Sequence, residues 1–211
     1  MSHPKPPNIT LYFLQSSRSI RTAWLLEELS LPYTSIFFPR INNKAPPDFA
    51  SRSGNSLGKA PTLVDGDITL CESGAIAEYL VEKYDEEGRM GGGGEGERER
   101  ERVRMWVHAA EGTFMVHCLA VTYARWFATR GMRDSGALAE LEGGLGVNVG
   151  KDLDWLEREL EGRRICVQFI FARDLTAGRK VGEWKNVERW IRECEATESY
   201  KRAVKKTGHE M

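Results

Sequence analysis

Residues 9–84 carry four β-rich runs and two amphipathic helical runs in the order strand, helix, strand, strand, strand, helix, and this order constrains the fold more than any other feature. Ile9 to Phe13 alternate apolar and less apolar side chains rich in β-formers, which predicts a strand. Ile20, Ala23, Trp24, Leu26 and Leu29 then recur at helical spacing, with Arg21, Glu27 and Glu28 mostly on the other side, and Pro32 closes that helix. Tyr33 to Phe38 is a second strand, so the strand–helix–strand unit demands a right-handed crossover with parallel strands. Thr62–Val64 and Ile68–Cys71 are joined by Asp65, Gly66 and Asp67, and the Asp-Gly step favours the positive φ angles of a tight antiparallel hairpin. Ser73 to Tyr84 places Ile76, Leu80 and Tyr84 on one face, away from Glu78 and Glu82, as an amphipathic helix does. Between these units, Pro39, Pro46, Pro47 and the polar run 51–56 predict loops with at most a short helix starting near Pro46.

The resulting βαβ–ββα order is the skeleton of a thioredoxin-like α/β domain, expected over residues 1–87. A Gly-rich linker is expected at 88–96, where the consecutive glycines 91–94 precede neither a Lys-Ser nor a Lys-Thr and so form no phosphate cradle. An all-α C-terminal domain is expected over 97–211. Glu97 to about Thr129 reads as one long buried helix, apolar around Trp106, Val107, Phe114, Leu119, Tyr123 and Trp126, with the opening Glu/Arg alternation as a solvated face. Four glycines at 143, 144, 146 and 150 each cost roughly 0.8–1.0 kcal/mol in a helix interior and predict a break. Leu153, Leu156 and Leu160 predict a helix up to Gly162, and Val187, Trp190, Ile191 and Cys194 another near the end of the chain.

Thirty basic residues against thirty-one acidic ones leave a formal charge of −1, which offers no global field for nucleic acid or an anionic membrane and points to a small-molecule ligand. The four cysteines contain no C-x-x-C pair, which argues against zinc, a dithiol redox centre or a disulfide framework. No stretch reaches the roughly 18 apolar residues of a membrane span, and the first residues have no apolar run after their charges. A cytoplasmic protein without a metal is expected. His108 and His117 are nine positions apart on one helix, not the four that would let them share an ion, and read as packed or solvated side chains.

Three features of the first domain concern chemistry. The turn Leu14-Gln15-Ser16-Ser17-Arg18-Ser19 sets hydroxyls beside the free N–H groups of a helix N-terminus, a place for an anion, although Ser17 or Ser19 alone also reads as a helix cap. Gly58-Lys59-Ala60-Pro61-Thr62 puts a proline at a strand entrance; a cis bond there would turn Ala60 outward to pair with an extended peptide, while the residues alone favour a trans proline. Glu72-Ser73-Gly74 opens a helix where a carboxylate receives an ammonium group and Ser73 a carboxylate, or where the tripeptide simply caps.

Their combination resembles the glutathione transferases, especially fungal and bacterial, yeast-like members. The likeness is carried by LYFLQSSRSIRTAWLLEEL at 11–29, APPDF at 45–49, SLGKAPTLVDGDITLCESGAIAEYLVEKY at 56–84 and WVHAAEGTFM at 106–115. It implies that Glu72 and Ser73 bind the γ-glutamyl head group of glutathione, that Ala60 before a cis Pro61 pairs with the cysteinyl backbone, and that Lys44 or Lys59 meets the glycyl carboxylate. It further implies that a hydroxyl near the end of strand one activates the thiol, Ser17 first, with Tyr12, Ser16 and Ser19 as alternatives. The thiolate would then attack a hydrophobic electrophile in a pocket lined by Phe114, Tyr123 and Trp126, or reduce hydroperoxides, in a homodimer. The alternative is a non-catalytic binding module of the same fold.

One stretch departs from the likeness. Asp174-Leu175-Thr176-Ala177 begins the L-T-x-A-D motif that caps a buried helix in these transferases, but Gly178-Arg179-Lys180 follows at once. The simplest reading is an internal deletion near 177–178, with a segment such as 165–171 partly filling the gap.

Overall fold

The computed structural model describes residues 7–90, 96–161 and 182–209. Two compact units emerge: Met1–Arg100 with Ala196–Met211, and Glu101–Glu195. The last helix thus belongs with the first unit, where the sequence had suggested a division at 88–96 with everything beyond it in the helical part.

In the first unit, β1 (Ile9–Leu14), α1 (Ser19–Glu28), β2 (Tyr33–Phe38), α2 (Phe49–Ser53), β3 (Thr62–Asp65), β4 (Ile68–Cys71) and α3 (Ser73–Tyr84) follow in the anticipated order. The sheet order is β2-β1-β3-β4. β1 and β2 are parallel, Ile9 opposite Tyr33 and Leu14 opposite Phe38, whereas β3 runs antiparallel to both β1 and β4. Alternation divides β1 between two faces: Leu11 and Phe13 are fully buried on one, while Leu14 and Tyr12 join Phe38 and Phe49 in a cluster on the other. The short helix starts at Phe49 rather than near Pro46. In the β3–β4 hairpin only Gly66 of the two loop residues takes a positive φ, 62°. Asp65 fastens this hairpin to α3, its Oδ2 accepting from Tyr79 Oη (2.7 Å), Lys83 Nζ (2.7 Å) and Tyr84 Oη (2.5 Å).

α9 (Glu198–Thr207) packs on α1 and β2. Trp24 stands edge-on to Tyr200 at 5.4 Å, and its Nε1 lies 2.8 Å from Glu28 Oε1 and 3.0 Å from Ser199 Oγ. The α1 face that amphipathic spacing marked as buried is therefore covered partly by residues from the other end of the chain.

The second unit is helical. α4 (Glu97–Ala109), whose first four residues belong to the first unit, passes through a π-helical turn, Ala110–Met115, into α5 (Val116–Phe127). The expected single long helix is thus interrupted in hydrogen-bond register, and its first nine residues are mostly exposed rather than buried. α6 (Arg130–Asp134), α7 (Ala137–Glu159) and α8 (Lys185–Glu195) complete the described part. The glycines do not break α7, which runs continuously over 23 residues. Four glycines cost about 3–4 kcal/mol relative to alanine, whereas burying Val149, Leu153, Leu156 and Leu160 contributes roughly 6–12 kcal/mol at 1.5–3 kcal/mol each. Trp155 stacks on Trp106 at 4.5 Å and Phe114 at 5.7 Å, and Glu157 caps α8, accepting from the N–H groups of Asn186 and Val187, both at 2.9 Å. The linker glycines 91–94, the suggested deletion near 177–178 and the segment 165–171 lie outside the described residues.

Candidate functional site

The separate motifs of the first unit meet at one shallow, open depression lined by Arg18, Leu57, Lys59, Ala60, Pro61, Cys71, Glu72 and Ser73. Each wall has a local cause. Lys59 and Ala60 stand in a loop organised by Asn55, a buried side chain that donates from Nδ2 to Lys59 O (2.9 Å) and Thr62 Oγ1 (3.0 Å) and accepts at Oδ1 from Leu57 N–H (3.0 Å). Gly58, at φ 65°, completes that loop by donating to Asn55 O at 2.9 Å. The Ala60–Pro61 bond is cis, so the trans proline favoured by the residues alone is replaced by the geometry that the family likeness implied.

Glu72 closes β4 and precedes α3 at φ 71° and ψ 114°, a conformation a side-chain-bearing residue rarely holds. It puts a carboxylate at the pocket beside buried Ser73, where α3 begins with N–H groups that have no partner inside the helix. Glu72, Lys59, Arg18 and the start of α3 thus border one small space. A zwitterionic, extended ligand with more than one carboxylate matches that set.

The turn after β1 is built differently from the sequence reading. Ser17 is 8% exposed; its Oγ donates to Leu14 O at 2.6 Å, lies 2.9 Å from Ser19 Oγ and accepts from Ser19 N–H at 3.2 Å. Ser19 is fully buried. Ser16 sits at φ 48°. Tyr12 belongs to the apolar cluster with Leu14, Phe38 and Phe49. The residue that this turn adds to the pocket lining is Arg18, which has no periodic or motif signal of its own among the neighbouring hydroxyls. Lys44 stands in a separate turn, bridged to Ile41, and is not part of that lining.

The three aromatics expected in a second-substrate pocket do not come together. Phe114 is a core residue of the second unit, 1% exposed and stacked on Trp155, because the π turn directs it toward α7. Tyr123 and Trp126 instead cluster with Phe127 on α5, ring centroids 6.0–6.5 Å apart, and Tyr123 (47%) and Phe127 (58%) are exposed. His117 Nδ1 is 2.6 Å from Asp152 Oδ2. Among the described residues no group of His, Cys, Asp or Glu is arranged to hold a metal ion, and no helix is long and apolar enough to cross a membrane.

Comparison with known proteins concerns the sequence of the first unit and the fold of the chain. Residues 7–82 match the family model for the glutathione S-transferase N-terminal domain. Glutathione S-transferase 3 of Schizosaccharomyces pombe is 39% identical over 107 residues, 51% of this chain and 43% of that protein. The match therefore spans less than half the length of this curated relative. A glutathione S-transferase from Actinobacillus pleuropneumoniae superposes with a TM-score of 0.74 at 25% identity, covering 95% of this chain and 93% of that one. A Phanerochaete chrysosporium protein cocrystallised with 1-(S-glutathionyl)-2,4-dinitrobenzene superposes at 0.70 with 19% identity, covering 97% and 95%, a likeness of fold.

Proposed function

We propose that the chain, whose residues 7–82 match the glutathione S-transferase N-terminal domain, is a glutathione transferase that binds glutathione in the pocket of the first unit and transfers the thiolate to a hydrophobic electrophile. The observation that carries this reading is the meeting of Lys59, Ala60, Pro61, Glu72 and Ser73 in one pocket. Glutathione with an ionised thiol brings one ammonium and three anionic groups. Glu72 receives the ammonium, Ser73 and the α3 N-terminus the γ-glutamyl carboxylate, and Ala60 the cysteinyl backbone. Lys59 meets the glycyl carboxylate, with Lys44 as an outer cation. The remaining anion, the sulfur, falls to the β1–α1 turn and its cation Arg18.

A free cysteine thiol has a pKa of about 8.5, and lowering it by about two units takes roughly 2.7 kcal/mol of preference for the anion. For Ser17 to donate to the sulfur its hydroxyl must leave Leu14 O, a loss of about 0.5–1.5 kcal/mol. That is less than the required stabilisation, and the helix N-terminus and the Arg18 guanidinium add to the gain. Once the proton has passed to solvent, the thiolate forms the S–C bond as the leaving group departs with its electron pair; reduction of a hydroperoxide is the related reaction. The same engagement of Ser17 favours a second reading, a glutathione-binding module without turnover. A cytoplasmic homodimer is the setting we propose for either.

Melting with and without glutathione, combined with conjugation of 1-chloro-2,4-dinitrobenzene, separates the readings. Glutathione at 100 times its dissociation constant stabilises by about 2.7 kcal/mol, a rise of roughly 5–10 °C for a chain of this size. A rise with conjugation supports the transferase, a rise without conjugation the module, and no rise removes both.

A further inference from the structure

Arg40, in the loop after β2, makes contacts that neither the sequence pattern nor the proposed ligand accounts for. Its Nε donates to Gln15 O at 2.8 Å, Nη2 to Ser16 O at 3.3 Å and Nη1 to Asn43 O at 2.9 Å. Its backbone N–H donates to Gln15 Oε1 at 3.0 Å, beside the ladder bond from Gln15 N–H to Phe38 O at 2.9 Å. One guanidinium therefore grips two successive carbonyls of the turn that leads into Ser17 and Arg18, and the Asn43 carbonyl braces the other arm of its fork.

We propose that Arg40 is a positioning residue for thiol activation, acting through the peptide groups 15–16 and 16–17 of the β1–α1 turn. In a trans peptide the C=O and the following N–H point in opposite directions. Drawing the Gln15 and Ser16 oxygens to Arg40 turns the N–H groups of Ser16 and Ser17 away from it, and keeps two carbonyl dipoles from facing an incoming sulfur anion. A cationic donor also polarises the peptides it grips, which strengthens their N–H groups as donors. Ser16 sits at φ 48°, a conformation that a side-chain-bearing residue holds only when its surroundings impose it. The planar fork of arginine meets several carbonyls in fixed directions, which the point charge of lysine cannot reproduce.

The assignment rests on the glutathione reading, and the test separates the two. The ionisation of the bound thiol is followed by the ultraviolet absorbance of the thiolate across pH in wild type, R40M and R40K, together with kcat for 1-chloro-2,4-dinitrobenzene and the Kd of S-methylglutathione, which has no thiol to ionise. In R40M the bound thiol is expected to titrate about one pH unit higher and kcat near pH 6.5 to fall about tenfold, while the Kd of S-methylglutathione moves less than about threefold; one unit corresponds to a tenfold change in the thiolate fraction. R40K is expected to stay close to R40M. Should R40M melt without cooperativity, R40K alone decides, and a wild-type thiol titration in R40K overturns the assignment. An unshifted titration in folded R40M overturns it equally, as does an equal loss of S-methylglutathione binding, which would mark Arg40 as a general brace of the pocket. Wild type that fails to bind S-methylglutathione overturns the glutathione reading and this assignment with it, whereas wild type that binds it leaves the outcome to the variants.

Discussion

At the scale of single residues, the role proposed for Glu72 runs against backbone preference. A side-chain-bearing residue at such a φ costs about 1–3 kcal/mol, and a glycine at φ 71° would cost less. A carboxylate nevertheless stands there, on the pocket wall next to Ser73. Glu72→Gln keeps size and backbone constraint and removes the charge, so it isolates the electrostatic role. Hydrogen bonds between charged groups exceed neutral ones by about 1–1.5 kcal/mol, and the substitution is expected to weaken glutathione binding about tenfold with stability unchanged within about 0.5 kcal/mol. Calorimetric titration and melting check the two halves, and an unaltered affinity would take the ammonium-binding role away from Glu72. The neighbouring residues mark what sequence could convey. Lys59, Pro61, Glu72 and Ser73, which line the pocket, each stand in a short pattern at a strand entrance or a helix start, but the residues alone point to a trans proline and a plain cap, and only the family resemblance joins them into one site. Asn55 was not legible, since its role is a set of hydrogen bonds across a loop that leaves no periodic trace, and Arg18 has no motif signal of its own among the neighbouring hydroxyls.

At the scale of elements, legibility follows whether local preference and tertiary packing agree. Ser73–Tyr84 falls where periodicity set it, because its buried Ile76 and Leu80 lie on the patterned face, whereas Tyr33–Phe38 and Ile68–Cys71, the latter without a buried side chain, fall where β-rich composition and the Asp-Gly turn set them. α7 is the opposite case, where local propensity argued for a break and core burial overrode it. Gly143 and Gly144 lie on its exposed side, and a Cβ added to either would meet nothing within 4 Å. Each therefore carries the helix cost of glycine without a packing reason. Gly143→Ala and Gly144→Ala are each expected to stabilise the second unit by about 0.8–1 kcal/mol, or roughly 2–4 °C in melting temperature, without affecting glutathione binding. A fall in melting temperature would show that these glycines serve a contact that the helix alone does not reveal. The π turn at Ala110–Met115 had no comparable sequence signal, because Ala-Glu-Gly-Thr-Phe-Met carries no residue pattern that separates a π turn from an α-helical one.

At the scale of the whole molecule, the first unit is closed by the end of the chain. The family-model region ends at residue 82, yet the face of α1 that carries Trp24 is completed by Tyr200, Ser199 and the rest of α9. The closure ends on His209, 6% exposed, with its ring edge-on to Phe13 at 6.0 Å and neither ring nitrogen hydrogen-bonded among the described residues. Burial pushes this imidazole below its ordinary value, because the folded chain holds it neutral and offers the cation no partner. The sign of the pH dependence follows. Above about pH 6.5, the ordinary histidine value, folded and unfolded chains both keep the residue neutral and it adds no pH dependence. Below it the unfolded chain takes up a proton that the folded chain resists, so stability falls with pH until the lowered folded value is passed. Asp65 contributes in the same direction but in a separate window: burial pushes its carboxyl up, the bonds from Lys83, Tyr84 and Tyr79 together outweigh that and hold it below its ordinary value, and its stabilisation is lost only under more acidic conditions, below about pH 4. His209→Leu removes two unpartnered polar atoms as well as the titration. It is expected to be more stable than wild type by about 1 kcal/mol or more at neutral pH, and to lose measurably less stability than wild type between about pH 7 and pH 5.5. Denaturant unfolding at several pH values measures both, and parallel stability curves for the two proteins would mean that α9 does not keep His209 neutral in the folded chain.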